Sequence, residues 1–476
     1  MTVKITKGAN YPYCFITGLE KEDKLLSDLA VKALEQEMSY YVKNFERTDK
    51  YKRGEWDGRE VLMGKSRTGS LYFPIGLLNI AVRVLKSHGI DVKIENLPPK
   101  THNREFFEWK SEKKLYKYQE DAVLSFMEVD NPFACGGVIC LPTGSGKTLI
   151  LCEIIRRFAR RTLVIVHTKE LLHQWDSVIR EVFGIEPAII GDGSDDDFEV
   201  ITIATMQTLN GLIKKGKRDL SYFKTLIVDE AHRAPAETIY SIALRCNADV
   251  RCGATATPRR EDNADLKMYA SLGPLVVNIT PTELINKGYI AKPTFMFLRS
   301  PFNPIRGRDW HDVRAIGIVA NGARNEMIVE EIKKLVAGGH KIYVSVDTLD
   351  HGDILEEMVG KEGIKVRWIN GSHKSNYRSE VIREFKSGEV DVIISTLLKE
   401  GVDIPEITAY VNAGGGKSEI SNIQRVGRAL RQSKDGTKNA VIVDFVDGGH
   451  KFLSEHWDSR WRIYREFYGE LCPFVR

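Results

Sequence analysis

Val138-Ile139-Cys140-Leu141-Pro142-Thr143-Gly144-Ser145-Gly146-Lys147-Thr148-Leu149 is an apolar run, then a loop of small residues, then the start of an amphipathic segment. Val138 to Leu141 has strand character and Leu149 to Arg157 helical character, so the loop joins a strand to a helix. In that setting the glycines let several backbone N–H groups converge on one point. The helix N-terminus adds partial positive charge, and together they cradle a polyphosphate. Thr143, Gly144, Ser145 and Gly146 form the cradle. Lys147 is expected to reach the β- and γ-phosphates, and Thr148 to hold a magnesium ion through its hydroxyl. The position where the general pattern has its first glycine is Leu141.

A second short apolar strand, Leu226-Ile227-Val228, runs directly into Asp229-Glu230-Ala231-His232. Carboxylates at a strand's C-terminal end are what metal-assisted hydrolysis requires. One holds magnesium and the other orients or deprotonates water; these roles fall to Asp229 and Glu230 respectively.

Composition bounds the rest. A chain of 476 residues, 42% hydrophobic and 28% charged, is globular and long enough for about three domains. The net charge of +4 is small, so a nucleic-acid surface has to come from local clustering. Seven cysteines without a Cys-x-x-Cys pair argue against a disulfide framework and a structural zinc site. No apolar run approaches membrane-spanning length, and a soluble cytoplasmic protein is expected.

Residues 1–110 read as a small α+β domain, with a helix expected from Glu22 to Val42 on the apolar positions Leu25, Leu29, Ala33 and Met38, and another over Ala81 to His88. Between them, Lys50-Tyr51-Lys52-Arg53-Gly54-Glu55-Trp56-Asp57-Gly58-Arg59 interleaves cations with aromatics, as a strand-gripping surface would. Trp56 and Arg59 are the candidate contacts. A hairpin with Trp56 in its own small core is the alternative. Pro98-Pro99 begins a polar boundary.

From Leu115 the pattern alternates strand and helix, which predicts a doubly wound parallel sheet with ligands at the C-terminal ends of its strands. Gln119 could read an adenine edge with its amide. The strands at Leu163–Val166 and Val200–Ala204 lead to Thr168-Lys169 and Thr205, and the acidic loop Asp192 to Asp197 is expected to be a solvated turn. Arg251 to Pro258 supplies Thr255 and Thr257, whose hydroxyls could sense the attacking water. A second α/β unit follows a connector, with strands expected near Ile342, Val366, Val390, Ala409 and Ala440 and no phosphate cradle of its own. Within it, Gln424, Arg428 and Arg431 would share a helix face and could clamp a γ-phosphate.

In combination, Pro142 to Thr148, Asp229-Glu230-Ala231-His232, Thr255-Ala256-Thr257 and Gln424 to Arg431 resemble the superfamily 2 helicases of the DEAH-signature type, over about residues 115–450. The resemblance implies two tandem RecA-like lobes, with ATP in the cleft between them and nucleic acid across both. By position it makes Gln119 the adenine reader, Gly401 and Asp403 the inter-lobe motif near the ribose, and Arg428 and Arg431 the fingers. Thr168, Lys169, Thr205, Ser345, Gly371 and Thr396 match residues that hold phosphates of the tracked strand. Arg260-Glu261-Asp262 resembles an element of XPB-type DNA helicases. Gly54 to Arg59 with Phe73-Pro74-Ile75-Gly76 is similar to the N-terminal domain of phage UvsW-type recombination helicases, which act on forks and junctions.

The expected organisation is α/β: an N-terminal α+β DNA-binding domain (1–110), a first lobe (111–292), a connector (293–322), a second lobe (323–450) and a helical tail (451–476). The expected activity is ATP- and magnesium-dependent translocation on single-stranded and branched DNA by a protein monomeric on DNA. An RNA helicase, a motor subunit of a restriction or repair complex, and a non-processive branched-DNA-binding protein are the alternatives.

Overall fold

The computed structural model describes residues 2–8, 12–19, 24–95, 107–128, 135–232, 236–257, 265–302, 304–396, 404, 406–417, 419–432 and 438–474. Two compact units result. One comprises Met1–Leu141 and Gly146–Asn278; the other comprises Ile279–Arg476 and the loop Pro142–Ser145.

The first unit opens with β1 (Thr2–Lys7), β2 (Tyr13–Thr17), β3 (Ser39–Tyr41), β4 (Arg59–Val61), β5 (Gly64–Lys65), β6 (Leu71–Pro74) and β7 (Asp91–Glu95). They form a mixed sheet in the order β5-β6-β2-β1-β7 and a separate antiparallel ribbon of β3 and β4. The first expected helix is Lys24–Glu37 and stops short of Val42. Met38 is buried, and Ser39-Tyr40-Tyr41 turns into β3, where the Tyr40 hydroxyl donates to Glu60 (2.7 Å). The buried stripe of that helix is Ser27, Ala30 and Leu34, whereas Leu25 and Leu29 lie outward. Apolar residues fill two adjacent stripes of this helix, and packing selected the one that periodicity did not. The second helix, Leu78–Ser87, begins one turn earlier than expected. The boundary at Pro98-Pro99 lies outside the described residues.

The same unit continues with β8 (Cys135–Cys140), β9 (Thr162–Val166), β10 (Ala188–Gly191), β11 (Ser194–Asp195), β12 (Ile201–Thr205), β13 (Thr225–Val228), β14 (Val250–Thr255) and β15 (Leu275–Asn278). Their order is β11-β10-β12-β9-β13-β14-β8-β15, parallel except for β11. Strands β9, β12, β13 and β14 are buried at every position, as a sheet covered on both faces requires. The acidic loop expected to be a solvated turn contains β11 and is tied down by charge. Asp192 pairs with Lys169 (2.5 Å) and His173 (3.0 Å), and Arg218 reaches Asp195 (2.8 Å) and Asp197 (3.1 Å).

The N-terminal sheet and the parallel sheet share packing. Ala270, on the helix Asp265–Leu272, belongs to the core of the N-terminal sheet. Gly76 lies so close to the Tyr269 and Ala270 carbonyls that a side chain there would collide with backbone. Lys267 on the same helix bridges Glu60 (2.6 Å) and Glu237 (2.5 Å), and Asp249 receives both Lys7 (3.2 Å) and Arg160 (2.9 Å).

The second unit holds β16 (Lys292–Arg299), β17 (Ile342–Ser345), β18 (Val366–Ile369), β19 (Val392–Ser395), β20 (Ala409–Asn412) and β21 (Asn439–Val446) in one parallel sheet, ordered β16-β21-β20-β17-β19-β18. The stretch 293–322, expected as a connector, supplies nearly all of edge strand β16 and a short helix, Trp310–Arg314. Its alternation was masked by apolar residues running along Phe295-Met296-Phe297-Leu298. The unit also begins earlier than the expected boundary at 292. The tail helix Lys451–Tyr468 packs on the same sheet. Arg460 donates twice to Asp444 of β21 (3.0 and 3.1 Å), which also accepts from Tyr464 (2.8 Å) and Asn412 (3.0 Å), all buried. Among the described residues no helix is long and apolar enough to cross a membrane.

Two measurements check this packing. Arg460→Met strands a buried carboxylate and is expected to cost about 3–5 kcal/mol in chemical denaturation of the chain; a loss below about 1 kcal/mol would contradict the buried pair. His351 is buried and donates to Asn325 (3.0 Å); burial first, then the Arg324 charge, pushes its pKa down to about 3. Because the folded value lies below the unfolded one of about 6.5, the stability it contributes is complete above that pH. It is lost as pH falls from there towards about 3, by up to about 1.4 kcal/mol per unit. His351→Gln should flatten the acid limb of a stability–pH curve, and an unchanged slope would refute the assignment.

Candidate active site

The C-terminal ends of β8, β13 and β14, neighbours in the first sheet, bring the motif residues of the first unit together. After β8 the loop turns back on itself: Ser145 Oγ donates to the Pro142 carbonyl (2.7 Å), and its N–H points to the same oxygen (3.3 Å). Gly144 and Gly146 take left-handed φ of 84° and 73°, which an L side chain resists, and Gly146 opens the helix Lys147–Phe158. Thr143 is buried, and among the described residues its hydroxyl has no hydrogen-bond partner, as suits a donor reserved for phosphate.

Lys147 is buried and parked inside the first unit. Its ammonium donates to the Leu141 carbonyl (3.3 Å) and lies 3.8 Å from Glu230 Oε1. Asp229 is nearly inaccessible. Its Oδ2 accepts from the Trp175 indole N–H (2.9 Å), and its Oδ1 from the Glu230 N–H (2.9 Å). Burial, then the neighbouring Glu230 charge, raises the Asp229 carboxyl above its ordinary range, while Trp175 and Lys147 pull it back. A dry carboxyl in this state favours an added cation. With the Thr148 hydroxyl at the helix start it offers the hard oxygen donors that suit magnesium, which takes few protein ligands. Glu230 has φ of 48°, a left-handed conformation costly for a non-glycine residue and typical of functional positions.

Thr255, at the end of β14, donates its hydroxyl proton to the Thr257 carbonyl (2.6 Å). The same oxygen lies 2.6 Å from His232 Nδ1, so that nitrogen carries the hydrogen of this contact. His232 Nδ1 is also 3.4 Å from Glu230 Oε2. A chain thus runs from the threonine motif through His232 to Glu230. Neither Trp175 nor His232 was singled out from sequence as a site residue. The signal for Trp175 was its place on the apolar face of the helix Lys169–Phe183, because a buried indole N–H needs an acceptor.

Other expected residues fare differently. The Gln119 oxygen accepts from the Tyr116 N–H (2.8 Å), and its amide nitrogen lies against Gly146. With the oxygen closing a helix turn, Gln119 does not present both halves of its amide to a base edge. Thr168 caps the helix Lys169–Phe183 by accepting from Leu171 N (3.2 Å), and the exposed Lys169 is paired with Asp192. Thr205 is buried and donates to Thr208 (2.9 Å). Ser345 is buried inside the second sheet, bonded to Tyr410 (2.7 Å) and Asn412 (3.2 Å), so it does not reach a strand outside. Gly371 lies in an exposed turn and Thr396 follows β19, half-buried.

The expected helical face of Gln424, Arg428 and Arg431 is only partly realised. The helix Glu419–Ala429 carries the first two, but Arg431 lies beyond its end in a bridge to Ile290. Leu430 and Ala291 make the neighbouring backbone bond (2.8 Å), so pairing with the chain before β16 ends the helix. Burial lowers the Arg431 pKa to about 10. The Gln424 side chain, Gly401, Asp403 and Arg260-Glu261-Asp262 lie outside the described residues. Trp56 donates its indole N–H to the Arg59 carbonyl (2.6 Å), and Arg59 pairs with Asp57 (2.7 Å). The aromatic packing of this segment centres on Phe45, against Tyr41, Tyr51 and Gly58, rather than on Trp56.

Residues 112–260 match the family model described as "Type III restriction enzyme, res subunit", and residues 323–433 match "Helicase conserved C-terminal domain". The "DNA 3'-5' translocase XPB2" of Sulfurisphaera tokodaii is 27% identical, over 71% of this chain and 82% of that protein. The "ATP-dependent DNA helicase uvsW" of Enterobacteria phage T4 is 24% identical, over 86% of this chain and 85% of its own length. A solved structure of Saccharomyces cerevisiae Dbp5 bound to RNA and ADP BeF3 shares the fold, at a TM-score of 0.54 and 17% identity, over 75% of this chain and 88% of that one. The two matches fall in this order along the chain and together take in more than half of the sequence, an arrangement similar to that of the superfamily 2 helicases.

Proposed function

We propose that this protein is an ATP- and magnesium-dependent DNA helicase or translocase working as a monomer in the cytoplasm on branched DNA such as forks and junctions. The observation that carries the reading is the buried Asp229, held by Trp175, beside Lys147 and a strained Glu230. In this reading it is the hydrolytic centre. Lys147 leaves the Leu141 carbonyl to meet the β- and γ-phosphates, which frees Glu230 to orient the attacking water. Thr148 and Asp229 would hold the magnesium ion, whose charge offsets that of the phosphate oxygens. His232 and Thr255 tie Glu230 to the threonine motif, so a change at the water is felt along β14. Arg428 and Arg431 are the finger residues in this reading. The names of the XPB2 and uvsW relatives favour DNA as the polymer.

Branch selection belongs to the N-terminal part in this reading. Trp56, Tyr51 and Lys52 line a shallow depression shared with Glu46, Glu55 and Asp57. Arg59 would exchange Asp57 for a DNA phosphate, a swap that salt and added acid residues should oppose.

Steady-state ATPase with no polynucleotide, single-stranded DNA, duplex, a four-way junction and structured RNA, at two salt concentrations, tests the proposal. Stimulation should be greatest with the junction and fall with salt; stimulation by RNA alone would overturn the choice of polymer. Lys147→Ala should lower turnover at least about 10³-fold, and persistence of hydrolysis would show the cradle misassigned. Trp175→Phe removes the N–H that steadies Asp229; a fall in kcat of about 10- to 100-fold is expected, with a weaker apparent affinity for magnesium. Unchanged kcat and magnesium dependence would leave Trp175 a packing residue.

A further inference from the structure

A cavity of about 430 Å³ opens in the second unit, lined in part by Asn422 and Arg425 of the helix Glu419–Ala429 but by none of the site residues assigned above. Its walls include Trp310, Arg314, Lys417, Asn422, Phe452 and His456. The size falls within the range of small-ligand sites. Two acids, Asp347 and Glu455, also line it. Asp347 accepts from the Gly415 and Gly416 N–H groups (3.2 and 3.1 Å) and pairs with the buried Arg425 (3.2 Å). Glu455 pairs with Lys451 (3.6 Å). With Asp347 matched by Arg425, the cavity keeps two cations, Arg314 and Lys417, against the single carboxylate of Glu455. Lys417 is exposed and, among the described residues, makes no ion pair.

The aromatic wall combines Trp310, at the start of the helix Trp310–Arg314, with Phe452 and His456 of the tail helix, and an irregular stretch of backbone adjoins it. Directly after the helix Trp310–Arg314 the chain makes a π-helical segment, Ala315–Val319, closed by Ala320 N–H to the Ala315 carbonyl (2.9 Å). Such segments are rare and occur preferentially at functional sites. Gly317 fits here against Ile305 and Leu453, and Gly415 lets the backbone approach Trp310 and Ile318. Trp310 stands with its ring centroid 4.0 Å from that of His456, whose Nδ1 contacts the Gly415 carbonyl (3.1 Å). A ring wall, an amide at Asn422 and an excess of cations, Arg314 and Lys417 against Glu455, match a nucleobase and its phosphate.

We propose that this cavity binds one nucleotide, its base stacked on Trp310 and its phosphate between Arg314 and Lys417, and that the nucleotide belongs to the DNA strand. The inference rests on the reading of the protein as a DNA motor and adds a residue-specific grip on the second unit. Stacking on an aromatic is tolerant of sequence, so the grip suits movement along a strand.

The test uses the full chain and fluorescence anisotropy with labelled oligo-dT at two salt concentrations, with thymidine monophosphate and inorganic phosphate as competitors. Trp310→Ala is expected to weaken oligo-dT binding about tenfold, while Trp310→Phe holds it within about threefold. Lys417→Glu, an exposed substitution that leaves the packing untouched, should weaken it and make the salt dependence shallower. Undiminished oligo-dT binding by both Trp310→Ala and Lys417→Glu overturns the proposal. A loss in Trp310→Ala confined to the monophosphate would overturn the assignment to a strand in favour of a free nucleotide. Competition by phosphate alone, equal in Trp310→Ala and the unaltered chain, would overturn base stacking. If the unaltered chain bound no oligo-dT and no DNA stimulated its ATPase, the motor reading would fail, and the monophosphate arm would still decide whether the cavity takes a nucleotide.

Discussion

Asp229 ends a strand whose four residues are all buried, so its carboxylate must keep its charge where water is scarce. Burial raises its pKa, and the protein answers with two N–H donors, one from Trp175 and one from the Glu230 backbone. Much of the first unit follows from that requirement. The helix Lys169–Phe183 must lie where Trp175 reaches the strand end, and the backbone leaves that end through a left-handed Glu230. Lys147, held by Leu141, balances the pair of acids. Such an arrangement is poor as a stability device but well suited to receiving a cation and phosphates, because the charges are fixed before the ligand arrives.

The N-terminal sheet is not a loosely tethered module. Ala270 lies in its core, Gly76 admits the backbone of the helix Asp265–Leu272 at close range, and Lys267 joins Glu60 to Glu237. Glu237 is on the helix that follows Asp229-Glu230-Ala231-His232. Whatever the N-terminal part binds therefore pulls on elements adjoining the hydrolytic motif through rigid contacts rather than through a linker.

In the second unit, buried ion pairs replace catalytic charge. Arg460 holds Asp444 in the C-terminal half of β21 and Arg324 holds Asp447 just beyond its end, and each arginine comes from a helix that the strand itself does not specify. Arg324 also donates to the Ala413 carbonyl (2.8 Å). The tail and the helix Gly322–Ala337 are thus fixed in register on the sheet. The segment between β16 and that helix carries Trp310 and, directly after its short helix, the π-helical turn Ala315–Val319.

The sequence by itself determined the motifs and most of the sheet strands, because a phosphate loop, an acid pair after an apolar run and fully apolar parallel strands are local patterns. Val366–Ile369 matches its element in full, and the other expected strands shift by a residue or two, save Cys135–Cys140, which begins three residues earlier, and Asn439–Val446, which runs three residues longer at its C-terminal end. Three things were decided only by tertiary structure. Which stripe of the helix Lys24–Glu37 is buried depended on the sheet it meets, since Leu25 and Leu26 begin equally plausible apolar faces. The place of Arg431 depended on Ile290 pairing with it and ending the helix. Trp175, Ser345 and Gln119 acquired their roles from partners that are distant in sequence or hidden in backbone geometry. Hydrogen-bond satisfaction in a buried place is a property of the assembled neighbourhood, and no single stretch of chain contains it.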